Sequence, residues 1–234
     1  VERLSDRLAA ADLLGRAADL LDYQLTHRVD GLYAYDIAVK LAALRLLDNK
    51  PNEAIQALDI AAQKLDALKP EFKTDDKLTT MAMLRARALS RQGRPDQALG
   101  LLNDLEPNSN INRLRADIAW TAGYWDDASY ALQDVILDQN MSLTRPLSEE
   151  NAELILRRAV ALNLAGDRIE LANMREKYSD AMLQTDKAKV FEVITRPRQN
   201  TTLADRETLL GIVSEVDLFE DFLNSYKTVS EPSN

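Results

Sequence analysis

Apolar residues recur every three to four positions along almost the whole chain, and the runs are separated by short clusters of glycine, proline, asparagine and aspartate. This periodicity predicts amphipathic helices rather than strands. From Glu2 to Val29 the positions Leu4, Leu8, Ala11, Leu14 or Gly15, Ala18, Leu21 and Leu25 predict one long helix or two nearly continuous ones, ended by Asp30-Gly31. Four helix pairs are then expected: 32–48 with 52–68, 76–92 with 95–105, 111–122 with 125–138, and 149–165 with 168–178. A helix near 180–194 and two short ones near 203–213 and 218–226 complete the reading. Pro51 and Pro95 stand at helix starts, where no amide donor is needed. Asn49, Gly93, Gly123 and Gly166 stand at the hinges, where a residue tolerant of left-handed backbone closes the preceding helix.

The hinges mark an internal repeat. They lie 44, 30 and 43 residues apart, so the period drifts while the interior pattern holds. Seven residues before each hinge stands alanine (Ala42, Ala86, Ala116, Ala159), and five after it alanine or leucine (Ala54, Ala98, Ala128, Leu171). Leu58, Leu102, Leu132 and Arg175 follow four residues later. Between residues 32 and 178 this arrangement resembles the small–small–large pattern of tetratricopeptide repeats, in which small residues let the two helices of a pair approach closely. The resemblance implies an all-α protein, an α-solenoid of such pairs treated as one continuous domain. Residues 1–30 form an N-terminal capping helix, 31–178 the repeats, 179–226 C-terminal capping helices and 227–234 a frayed tail. Arg175 and Tyr178, where apolar residues are usual, imply a terminal unit facing solvent or a different neighbour. The whole chain also resembles the C-terminal part of larger bacterial repeat proteins of the cell envelope.

In that family the first helices of the pairs line a concave wall where peptides bind. Carried across, the wall comprises Val39, Ala43 and Leu46; Thr80, Met83, Arg87 and Ser90; Asn110, Arg113, Asp117 and Trp120; and Glu153, Leu156, Val160 and Asn163. The family's clamp for a C-terminal carboxylate needs lysine and asparagine where this chain has Val39 and Ala43, so that mode is not expected. Met83, Arg87, Arg113, Asp117, Trp120 and Asn163 are the candidate partner-binding residues, because tryptophan and arginine dominate binding hot spots. The resemblance thus implies a non-catalytic module for protein–protein interaction that takes a protein or peptide partner, an acidic or polar segment above all. The alternative is a structural element of a larger protein, self-associating through its end helices.

Composition narrows the alternatives. The net charge of −9 argues against general nucleic-acid binding, which needs clustered cations. The chain has no cysteine and one histidine. That removes thiolate chemistry and thiolate metal sites, leaves the compartment open, and makes His27, in the last turn of the first helix, a surface residue favoured there by the helix dipole. The acidic pairs Asp126-Asp127 and Glu149-Glu150 fall at predicted helix starts and complement the dipole rather than forming a general acid–base pair. No cofactor, metal or transmembrane segment is expected.

Overall fold

The computed structural model describes residues 1–141, 147–196, 209–211, 213 and 217–227. Among them are twelve α-helices and no strand. They are α1 (Glu2–Ala10), α2 (Leu14–His27), α3 (Gly31–Leu47), α4 (Pro51–Asp66), α5 (Asp75–Arg91), α6 (Pro95–Asn103), α7 (Ser109–Ala122), α8 (Trp125–Asp138), α9 (Glu149–Ala165), α10 (Arg168–Met182), α11 (Ala188–Thr195) and α12 (Glu220–Asn224), with 3-10 turns at Pro70–Phe72 and Ser225–Lys227. The expected pair boundaries fall within a few residues of these. Two elements differ. Helix α10 runs on to Met182, and α11 begins only at Ala188, because Thr185 turns back to hydrogen-bond the Met182 carbonyl and ends the helical ladder. The helix expected over 203–213 lies for the most part outside the described residues, as does the tail beyond Lys227.

All four expected hinges have left-handed backbone, with φ of 54° at Asn49, 74° at Gly93, 75° at Gly123 and 79° at Gly166. After each one the next amide reaches the carbonyl five residues back: Lys50 to Arg45, Arg94 to Leu89, Tyr124 to Ala119, and Asp167 to Leu162, at 2.8 to 3.0 Å. This is the Schellman closure, which satisfies carbonyls orphaned at a helix end.

A fifth hinge of the same kind splits the first segment. Asp12 has φ 59°, and the Leu13 amide bonds the Leu8 carbonyl at 2.8 Å. Counting from Asp12 gives Ser5, Ala17 and Leu21 at the small, small and large positions, and all three are fully buried. Ser5 Oγ donates to the Ala17 carbonyl at 3.0 Å, so the two small residues mark the close approach of α1 and α2. The first segment is therefore a hinged pair like the others. At the equivalent positions Ala42, Ala86, Ala116 and Ala159, and likewise Ala54, Ala98 and Ala128, are at most 1% exposed. Helix α10 departs from the pattern: Met174 and Tyr178 are buried, and Arg175 is half-buried.

The chain divides into two compact units. One comprises Val1–Glu106 and the segment from Phe219; the other is Pro107–Leu218. In the first, α1 to α6 pack in sequence, and α12 and the final 3-10 turn return onto α3 and α1. In the second, α7 packs on α8, α8 on α9, and α11 covers α9 and α10 around a core that includes Leu132, Ile155, Ala159, Met174 and Phe191. No helix among the described residues is long and apolar enough to cross a membrane.

Candidate functional site

The second unit brings charge and aromatic surface together on the leading helices of its pairs. Asn108 caps α7 by accepting from the Ile111 amide, and Ser148 caps α9 by accepting from the Asn151 amide. The caps fix the helix starts and hence which residues share a face. On α7, Arg113, Asp117 and Trp120 stand at i, i+4 and i+7. On α9, Glu150, Glu153 and Arg157 stand at i, i+3 and i+7 and likewise share a face. The two rows meet. Arg157 Nη1 lies 3.9 Å from Asp117 Oδ1, and its guanidinium sits 4.8 Å from the centre of the Trp120 ring. Trp125 meets Trp120 edge to face at 5.5 Å. Arg113 Nη2 approaches Glu150 Oε1 at 3.7 Å, and Lys187, just before α11, approaches Glu153 Oε2 at 3.4 Å.

Asp117 and Arg157 are 3% and 4% exposed. Burial lowers the affinity of the Arg157 guanidinium for its proton, and the carboxylates of Asp117 and Glu153 oppose that shift. An arginine starts so high that it remains charged. Beside it opens a cavity of about 320 Å³ lined by Glu149, Glu150, Glu153, Leu154, Arg157, Lys187 and Leu218. This face carries acids as well as the arginines of the candidate set. The acids that complement the dipole at the start of α9 line it, so it presents both signs of charge, with Trp120 behind the Arg157 guanidinium. Such a surface can orient a polar segment by hydrogen bonds and stack a planar side chain on tryptophan.

Asn163 is engaged elsewhere, donating from Nδ2 to the Ile194 carbonyl at 3.1 Å and tying α9 to α11. Arg158, adjacent to Arg157 but turned to the other side of α9, binds the Ser129 carbonyl, Gln133 and Glu170. Arg157 and Lys187 were not among the residues read from the sequence. The signal for Arg157 was an arginine inside the apolar run from Leu154 to Leu164, a position that obliges a charge to find partners.

In the first unit the leading helices are α1, α3 and α5. Met83 and Arg87 of α5 are both buried. One helical repeat on, Arg91 donates to the Leu46 carbonyl of α3 and feels the charge of Glu220. Val39 and Thr80 line a cavity of about 540 Å³ with Glu2, Tyr35, Asp36, Lys40, Asp76, Lys77, Ser225 and Tyr226. Lys40 pairs with Asp6 of α1. Burial raises the Asp36 carboxyl and the Tyr35 hydroxyl, and pushes the Tyr226 hydroxyl up to about 12 with the help of Asp76 and Asp36. His27 is exposed at the end of α2 against the Tyr23 ring. Asp126-Asp127 and Glu149-Glu150 lie in the first turns of α8 and α9. No family model, curated protein or solved structure matches the chain.

Proposed function

We propose that the chain is a non-catalytic interaction module, an α-solenoid of tetratricopeptide-like helix pairs whose leading helices hold a segment of a protein partner. Five hinges with one geometry support the repeat. The observation that carries the function is the cluster of Arg113, Asp117, Trp120 and Arg157. Burying an arginine and an aspartate costs several kcal/mol per ion in desolvation, which apolar residues of similar size would avoid. Arg158, equally buried on the same helix, is accounted for by the Ser129 carbonyl, Gln133 and Glu170, whereas Arg157 stands at the wall of a cavity. Charge and tryptophan held in fixed positions next to a cavity suit recognition of a polar segment, with Trp120 and Arg113 as anchors and Arg157 holding the ring in place.

The test uses the intact protein as bait and measures affinity for the recovered partner. Arg113→Glu and Trp120→Ala are compared with Gln97→Ala, an exposed residue of α6. Loss of a hot-spot side chain weakens binding by about 30-fold or more, corresponding to about 2 kcal/mol. Unchanged affinity in both variants at matched helicity, with Gln97→Ala also unchanged, rejects this face as the partner site.

A further inference from the structure

The leading-helix face of the first unit is covered by a later stretch of the same chain. Residues Phe219 to Lys227 return across 112 intervening residues and lie on α3 and α1. Phe219 and Leu223, four residues apart, are 1% and 0% exposed. Between them Glu220 and Asp221 form an acidic first turn, and the charge of Glu220 is felt by the partly buried Arg91. At the far end Tyr226 enters beside Tyr35, and Lys227 Nζ approaches Asp12 at 3.6 Å. Five residues of α-helix are far too few to be stable alone. This segment is helical because the face beneath it makes it so.

The fit is incomplete on one side. The cavity of about 540 Å³ beside Tyr226 is left between α1, α3 and α5, and it is lined by Glu2, Asp36, Lys40, Asp76, Lys77 and Thr80. Its size is that of a small-ligand pocket, and its polar walls differ from the apolar seat under Phe219 and Leu223. The face therefore offers an apolar seat, a cation at Arg91, and a polar end larger than the serine and tyrosine now against it.

We propose that this face is a receptor for a short acidic amphipathic helix of a partner protein, with phenylalanine and leucine four residues apart behind an acidic turn and a longer polar side chain at its end. Residues 219–227 are the built-in competitor that such a helix displaces. The inference rests on the interaction-module reading but concerns a different surface from Arg113 and Trp120. A tethered segment meets its site at an effective concentration in the millimolar range. A free copy therefore competes poorly until the tethered one is weakened, and an added contact in the polar cavity is what tips the exchange.

The probe is a fluorescein-labelled peptide of residues 219–227, followed by anisotropy, with the full-length chain as receptor. Changing Phe219→Glu and Leu223→Glu together in the chain should tighten peptide binding at least about 10-fold over the unchanged protein. A peptide carrying alanine at both positions should bind neither. Appending glutamine, which can donate to the carboxylates of the cavity, after Lys227 in the peptide should strengthen binding further. Should the double variant lose helicity by circular dichroism, the decision passes to Ser225→Cys, the sole thiol in the chain, labelled with a polarity-sensitive dye. Millimolar unlabelled peptide should then shift its emission. Equal peptide affinity in released and unchanged chains, or an unmoved dye, overturns the proposal. So does a released chain that dimerises in light scattering and thereby excludes the peptide, since the occupant would be a second copy. If the peptide fails while Arg113→Glu and Trp120→Ala still weaken partner binding, only this inference is lost.

Discussion

Glycine does opposite things at two positions only seven residues apart. Gly93 has φ 74° and Gly100 lies inside α6, and a Cβ added at either would meet no atom within 4 Å. Space is thus removed as a variable, and the sign of each change depends on backbone alone. Gly93→Ala should destabilise by about 1 to 2 kcal/mol, because an L-residue is strained in left-handed backbone. Gly100→Ala should stabilise by about 0.5 to 1 kcal/mol, because glycine in a helix gives up more freedom on folding. Denaturant melts of the two variants check both signs. Tyr226 gives a second measurement at this scale. Its folded pKa of about 12 lies above the ordinary value near 10, so its contribution to stability is complete below about pH 10 and disappears as pH rises through about 12. Tyr226→Phe should flatten the fall in stability over that window, and a slope identical to the unchanged protein would place the titrating group elsewhere.

At the scale of the helix pair, the alanines at the crossings are the sensitive points. Ala98 is fully buried and Gln97 exposed. Ala98→Leu should cost about 1 to 3 kcal/mol through overpacking, while Gln97→Leu should be nearly neutral. Ser5→Leu should cost a similar amount in the first pair and in addition loses the bond to Ala17; equal melting temperatures for Ser5→Leu and the unchanged protein would remove α1–α2 from the repeat. The four later hinges were legible in the sequence because glycine or asparagine marks each of them between two apolar-periodic runs. The hinge at Asp12 was not placed, because Leu8-Ala-Ala-Ala-Asp-Leu-Leu14 contains no glycine or proline to choose between one long helix and two nearly continuous ones. Its left-handed backbone accompanies the contact of Ser5 with Ala17, which only the folded pair brings together. The late start of α11 was hidden for the same reason, as a local turn at Thr185 overrides a run of fair helix formers. In the second unit Arg113, Asp117 and Trp120 were placed on one face by counting. Arg157 stands one residue beyond Leu156 in the row Glu153, Leu156, Val160 and Asn163, so spacing alone does not select it. The seat of residues 219–227 was beyond reach, since Tyr35 and Tyr226 are brought together only by tertiary folding.

For the molecule as a whole, the first unit is built from two stretches of chain and the second from one. Changing Phe219 and Leu223 together to alanine should therefore lower hydrogen-exchange protection in α1, α3 and α5 and leave α7 to α10 protected. Loss throughout would show that the segment supports both units. The split has a consequence in time as well as in stability. On the ribosome, residues 1–106 emerge before residues 107–218, and the closing segment comes last. At synthesis rates of about 5 to 20 residues per second, the 112 residues between them take roughly 6 to 22 s to be made. During that interval the seat beneath Phe219 and Leu223 stands open on a nascent chain, and a helix that would lose to the tethered segment in the finished protein meets no rival.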